Sequence, residues 1–358
     1  MPRTTRNVAT ALALLAILPA SALLSQARQP QHIFLPNVSQ RAEVAQTIGV
    51  TDIRVVYHRP GVNERQIWGS LVPYDAVWRT GANENTLISF STGVKVEGQD
   101  LAAGTYGLHT LPTDGDWQII FSRDTRAWGS FSYDEANDAL RVTVTPEEAE
   151  HVERMVFTFD DPAADSVTLA LRWEKLRVPI SIEVDSTAET LASIEEQLTG
   201  LAQFFWQGWD QAASWAVGAD VELERGLEWA ERSIGVQENF VNLTTKARLL
   251  IKLGREEEAA AVMEKALPMG NARNLFNYGQ LLLGRGEIDE AVRVFEMNVE
   301  KHPDVWFVEL GLARGLSAKG EFARAAEEVK KTLAKAPEGR KPHLVVLVKR
   351  LEGGEGIH

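Results

Sequence analysis

The sequence predicts two domains, an antiparallel β-sandwich of jelly-roll type followed by an α-helical solenoid. Three observations carry this. The 358 residues exceed the roughly 100–200 typical of one domain. From about Arg41 to Asp185 apolar residues recur with period two between closely spaced turns, and after Ser186 the period lengthens to that of a helix. The helical half then repeats itself at a fixed interval. The expected segments are residues 1–27, 28–38 as a linker, 39–185, 187–350, and 351–358 as a flexible tail.

Residues 1–27 read as an export signal. Arg3 and Arg6 precede an apolar run from Val8 to Leu18, and Ser25-Gln-Ala27 offers small residues for cleavage after Ala27, with Ala20-Ser-Ala22 as the alternative. The run is shorter than the roughly 20 residues a bilayer requires, and no later run qualifies. A periplasmic or extracellular protein with no membrane span in the mature chain is expected. The chain has no cysteine, which removes disulfides, thiolate catalysis and zinc–cysteine sites. Its net charge of −13 argues against nucleic acid as a partner.

In the β-region, Ile53–Tyr57, Thr86–Phe90 and Val94–Val96 alternate as strands do, with Ser91-Thr-Gly93 as the turn between the last two. Thr105–Leu111 and Trp117–Phe121 form a hairpin about Thr113-Asp-Gly-Asp116. Leu140–Val144, Met155–Phe159, Val167–Trp173 and Val178–Val184 complete the pattern. This many short strands suits a sandwich or jelly-roll-like barrel.

In the helical region Gly286, Ala291, Phe295 and Pro303 recur as Gly320, Ala325, Val329 and Pro337, a spacing of 34 residues. The period and the residue types resemble the tetratricopeptide repeat, a helix–turn–helix unit. Gly279, Ala313, Ala291 and Ala325 fall where paired helices approach closely, and the prolines stop the second helix. An earlier copy runs through Leu243, Ala247, Gly254, Ala259 and Ala266, and a degenerate one spans Trp206 to Ile234. Four stacked pairs are expected. The tryptophans at 206, 209, 215 and 229 are expected to pack in the core or at a domain interface.

The segment Arg59–Glu84 is rich in Trp, Arg, Asn, Glu, Gly and Pro and contains Val77-Trp-Arg-Thr-Gly-Ala-Asn-Glu84. With Gly104-Thr-Tyr-Gly-Leu108 and Leu169-Ala-Leu-Arg-Trp-Glu-Lys175, it resembles a bacterial family of exported proteins, the domain of unknown function numbered 2911. The resemblance covers about Ser39 to Val184. It implies the fold and the export, and lends no activity; many such proteins carry a similar helical tail.

An ordered polar loop network is expected over Arg59–Glu84, with Arg59, Trp68, Tyr74, Trp78, Arg79, Asn83 and Glu84 as candidate contacts for a small polar or sugar ligand. The bland alternative is that Arg79 and Glu84 brace the loop. His58 and His109 stand near strand ends without metal-ligand spacing, and none of Ser70, Ser89, Ser130 and Ser132 lies in a nucleophile elbow. No metal or cofactor is expected. Trp128-Gly-Ser-Phe-Ser-Tyr-Asp134 can face the first loop, but Trp128 and Phe131 are expected to cover the open end of the β-core.

On the first helices, Arg248, Lys252, Arg273, Gln280 and Arg314 form a basic row suited to a partner's carboxylate or acidic segment. Only Asn277 matches the clamp of chaperone-binding repeats. The reading is an exported binding or scaffold protein whose repeats hold a protein or peptide partner. Its rival is an envelope hydrolase acting on a sugar or peptide, with Glu84 as acid or base oriented by Arg79.

Overall fold

The computed structural model describes residues 36–357, so the expected export signal lies outside the described residues. An antiparallel β-rich region is followed by ten α-helices among the described residues. The described residues divide into two compact units: Asp52–Pro162 and Val167–Glu183 with residues 36–46, and residues 184–357 with residues 47–51 and 163–166.

The first unit holds strands β1 Gln40–Ile48, β2 Thr51–Arg59, β3 Thr86–Phe90, β4 Val94–Val96, β5 Gln99–Leu101, β6 Gly104–Leu111, β7 Trp117–Ser122, β8 Asp138–Val144, β9 Glu147–Asp160 and β10 Ser166–Glu183. They form a six-stranded sheet in the order β1-β2-β3-β6-β7-β8 and a four-stranded sheet in the order β5-β4-β10-β9. The alternation seen in sequence is the alternation of burial: Ile53, Val55 and Tyr57 point inward while Asp52 and Arg54 are exposed. Inward aromatics link the sheets. Tyr57 of β2 meets Phe157 of β9 edge-on at 4.9 Å and its hydroxyl accepts the Phe157 N–H at 3.2 Å. Trp117 of β7 and Trp173 of β10, both 1% exposed, join the same core.

β9 begins well before the Met155 expected from sequence. Its first half is Glu147-Glu-Ala-Glu-His-Val-Glu-Arg154, with no buried position, so no apolar alternation marks it; pairing with β10 from Arg177↔Glu147 onward makes it a strand. Bulges about Glu174, which has φ 54°, let the long β10 stay paired.

The second unit opens with α1 Ser186–Leu198, capped by the Asp185 carboxylate. Four helical pairs follow: α2 Trp206–Ala219 with α3 Leu223–Val236, α4 Phe240–Lys252 with α5 Glu256–Ala266, α6 Ala272–Gly284 with α7 Ile288–Lys301, and α8 Val308–Ala318 with α9 Phe322–Lys335; α10 Lys341–Glu352 closes the series. Gly254, Gly286 and Gly320 end the first helices of the last three pairs at φ 74°, 78° and 81°, the left-handed conformation that glycine adopts without strain. Phe295 of α7 is fully buried and lies against Gly279 of α6 and Gly311 of α8, neither of which leaves room for a Cβ. Trp229 is buried, and Trp209 and Trp215 pack on the core from partly buried positions. The expected flexible tail is instead anchored at its described end. Ile357 is 2% exposed and its N–H donates to Ser317 Oγ at 2.8 Å. No helix among the described residues is long and apolar enough to cross a membrane.

Candidate functional site

The loop from Arg59 to Glu84 laces the two sheets of the β-unit together. At its start, Val62 N–H donates to Glu153 O at 2.8 Å and Pro60 O accepts from Met155 N–H at 3.0 Å, along β9. Farther on, Trp78 exchanges backbone bonds of 2.8 and 2.9 Å with Thr110, and Asp75 N–H donates to Pro112 O at 2.8 Å, at the end of β6. Most of the candidate side chains are consumed by this bracing. Arg59 Nε donates to Met155 O at 2.8 Å, and Asn83 Nδ2 donates to Ser39 O at 3.1 Å. Trp68 and Trp78 turn into an aromatic cluster, Trp68 lying 4.8 Å from Trp117 and Trp78 stacking on Trp173 at 5.8 Å. Tyr74 is exposed and its ring covers Gly69, whose φ is 74°.

Glu84 and Arg79 do not pair with each other. Glu84 Oε2 lies 3.3 Å from Nε2 of buried His58. Burial holds the His58 pKa below its ordinary value, with Glu84 opposing, so the imidazole is neutral at pH 7. Arg79 is half-buried, and its Nε is buried without a hydrogen-bond partner. Its guanidinium lies 5.7 Å from the centroid of Trp128. Trp128 and Phe131 stack nearly parallel, 6.1 Å apart at 15°, and are 61% and 84% exposed. This overturns the expectation that they cover the β-core: the pair faces solvent beside Arg79.

Behind that pair, His109 is buried and its Nδ1 is 3.0 Å from Ser130 Oγ, with Nε2 3.4 Å from Asn85 Nδ2. Burial keeps the His109 pKa below its ordinary value. Tyr133 bonds to both oxygens of Asp138 at 2.9 and 2.8 Å and accepts from Arg141 at 2.6 Å; burial and then Asp138 push its pKa to about 12. These bonds tie the 128–134 segment to the sheet. Among the described residues no group of three or more histidines, aspartates or glutamates is arranged to hold a metal ion.

In the helical unit the five candidate partner contacts separate into two sets. Lys252 is engaged by Asp220 at 3.2 Å, and Arg248 is exposed and acts on buried Asp210. Arg273, Gln280 and Arg314 come together. Arg314 Nη1 donates to Gln280 Oε1 at 3.1 Å and its guanidinium lies 6.0 Å from Phe276. Arg273 sits 4.3 Å over Phe307, which meets Phe276 edge-on at 5.4 Å. Arg314 Nε and Gln280 Nε2 are buried donors without partners, and burial draws the Arg314 pKa below the arginine range. Sequence spacing placed these residues on one row; the phenylalanines beneath them were not recognised, although Phe276 is four residues from Gln280 and so shares its face.

No curated protein matches the chain. Among solved structures, YrrB, described as a TPR protein with an unusual peptide-binding site, is 13% identical with a TM-score of 0.31, covering 45% of this chain and 82% of that one. MamA from Desulfovibrio magneticus RS-1 is 16% identical with a TM-score of 0.29, covering 43% and 92%. The segment that carries the laced loop and its strands, residues 39–182, matches the family described as a protein of unknown function, DUF2911.

Proposed function

We propose that the protein is an exported binding or scaffold protein, a β-sandwich joined to tetratricopeptide-type repeats that hold an acidic segment or free C-terminus of a protein partner. The carrying observation is the Arg273–Gln280–Arg314 cluster. In a chain of net charge −13, two adjacent first helices present a guanidinium and an amide with donors left unpartnered over two aromatic rings. A carboxylate supplies the missing acceptors, and the rings suit an apolar neighbour in the same peptide. The test is fluorescence anisotropy with labelled peptides ending in a free or amidated C-terminus, or carrying internal acidic residues. Affinity should fall with salt, and Arg273→Glu with Arg314→Glu should abolish binding while helicity persists. Binding that survives both substitutions and high salt refutes the groove. Export is tested separately by intact mass from an exporting bacterial host, which should lack about the first 27 residues.

The contact between Glu84 and His58 at 3.3 Å favours a second reading, hydrolysis of an envelope sugar or peptide with this pair as acid and base. Glu84→Gln separates the two: turnover disappears in a hydrolase, whereas peptide capture by the repeats is untouched.

A further inference from the structure

The partly buried arginines of the β-unit are, with one exception, satisfied by the protein. Arg141, Arg172 and Arg177 each hold a carboxylate at 2.6–2.8 Å, and Arg59 donates to a backbone carbonyl. Arg79 does neither. Burial alone lowers its pKa, with no charged neighbour contributing. Its one aromatic partner is Trp128. A half-buried cation without a counter-ion is costly, and an anion brought to it offsets that cost.

The backbone is strained on one side of this cation and opened by a glycine on the other. Thr80, the next residue, is β-branched and buried yet has φ 53°. That conformation is costly for a β-branched residue and persists only where surroundings impose it. Thr86 Oγ1 donates to Thr80 O at 2.7 Å, and Thr80 Oγ1 bonds to Thr110 Oγ1 at 3.3 Å. Across the site Gly129 has φ 77°, and a Cβ there would stand 2.9 Å from the Phe131 ring and 3.5 Å from Arg79 Nη1. Only glycine lets the Phe131 ring and the guanidinium approach the same point. The outcome is a fixed cation beside two large, solvent-facing, parallel rings, which a chain gains nothing by exposing unless they are covered.

We propose that Arg79, Trp128 and Phe131 form a binding site for a small aromatic carboxylate, its carboxylate accepting from the Arg79 guanidinium and its ring lying on the exposed indole. The carboxylate supplies the counter-ion that the fold withholds. The flat ring matches the stacked pair better than a puckered sugar does, because a second ring, offset or edge-on, adds an aromatic contact that a sugar cannot make. This site is independent of the partner groove on the helical repeats.

The test uses the full chain with benzoate as probe, and benzamide and glucuronate as comparators, by calorimetric titration and tryptophan fluorescence. Benzoate should bind and perturb fluorescence; benzamide, of the same shape without the charge, should bind at least about tenfold more weakly. Glucuronate should also bind more weakly. Arg79→Gln should lower benzoate affinity about tenfold or more. Trp128→Ala, at an exposed position that leaves the core intact, should lower it several-fold and abolish the fluorescence response. No binding of benzoate at millimolar concentration, equal binding of benzamide, tighter binding of glucuronate, or undiminished binding by Trp128→Ala would each overturn the proposal. Because the comparators act on the unaltered protein, a misfolded Arg79 variant does not shelter it.

Discussion

Replacing Gly279 of α6 by alanine sets two opposing effects of known size against each other. A methyl there would stand 2.5 Å from Cε1 and 2.6 Å from Cζ of Phe295, closer than any real contact. Phe295 cannot withdraw, since it is fully buried and Gly311 and Gly315 bring a second helix to within 2.7 and 3.2 Å of the same ring by the same measure. Removing a mid-helix glycine favours the helix by about 1 kcal/mol. Forcing a methyl into a filled core costs about 1–3 kcal/mol, so Gly279→Ala should destabilise by up to about 2 kcal/mol. Gly284, at the end of the same helix, has nothing within 4 Å of its would-be Cβ, so Gly284→Ala should be neutral or stabilise by up to about 1 kcal/mol. The assay is urea unfolding followed by far-ultraviolet circular dichroism. Phe295→Leu, made alone and with Gly279→Ala, completes a cycle: shortening the ring opens the space the methyl needs, so the pair should lose less than the sum by about 1 kcal/mol. Equal effects of the two alanine substitutions, or strict additivity in the cycle, would refute the ring-in-glycine packing.

Two further outcomes follow from buried titratable groups. Asp210 is 6% exposed with one oxygen unpartnered, and burial raises its pKa against the opposing pull of Thr245 and Arg248. A carboxyl whose folded pKa is raised stabilises below the unfolded value near 3.9 and loses that contribution as pH rises through the folded value. Asp210→Asn should therefore raise Tm at pH 7 by a few degrees, with the gain shrinking towards pH 4, as scanning calorimetry would show. His109 has the opposite sign: burial depresses its pKa against opposing Asp138 and Asp124, so the unfolded chain takes up the proton first. Its contribution is present above about pH 6.5 and lost as pH falls below it, at up to about 1.4 kcal/mol per pH unit. His109→Phe keeps a ring in place and should flatten the dependence of Tm on pH between about 5 and 7; unchanged slopes would disprove the effect.

The period of the fold was readable wherever burial falls on one face. Ile53, Val55 and Tyr57 alternate because they alternate between core and solvent, and the 34-residue spacing survives because each repeat places Gly286 or Gly320 at the same left-handed turn. Reading failed where burial does not set the pattern. The first half of β9 has no buried residue, so its Glu-rich stretch carries no sign of a strand. β1 likewise buries only Ile48 among nine residues. Leu351 and Ile357 are buried by helices that precede them, and nothing local to the last eight residues announces that.

The candidate site was legible as a region and illegible as a set of atoms, for a reason visible in its partners. Composition marks Arg59–Glu84 as ordered and polar, and the structure uses most of it for bracing. What separates Arg59, bonded to Met155 ninety-six residues away, from Arg79, bonded to no acceptor, is the placement of distant strands. The same holds for the tryptophans: Trp78 finds Trp173 and is drawn inward, whereas Trp128 finds a guanidinium and stays in solvent. One local signal was present. A β-branched threonine follows Arg79 in Arg79-Thr-Gly-Ala-Asn83, a turn-like run in which both Thr80 and Asn83 take positive φ, at 53° and 58°. Asparagine tolerates that region; threonine resists it. The fold spends strain at the residue beside the partly buried arginine of the β-unit that has no acceptor, and Gly129 relieves the same crowding on the far side. Thr80→Gly therefore distinguishes a strained device from an accident of packing. If the geometry serves only stability, glycine should cost little or help by removing the strain. If it holds Arg79 over Trp128 for a ligand, benzoate affinity should fall even where Tm rises.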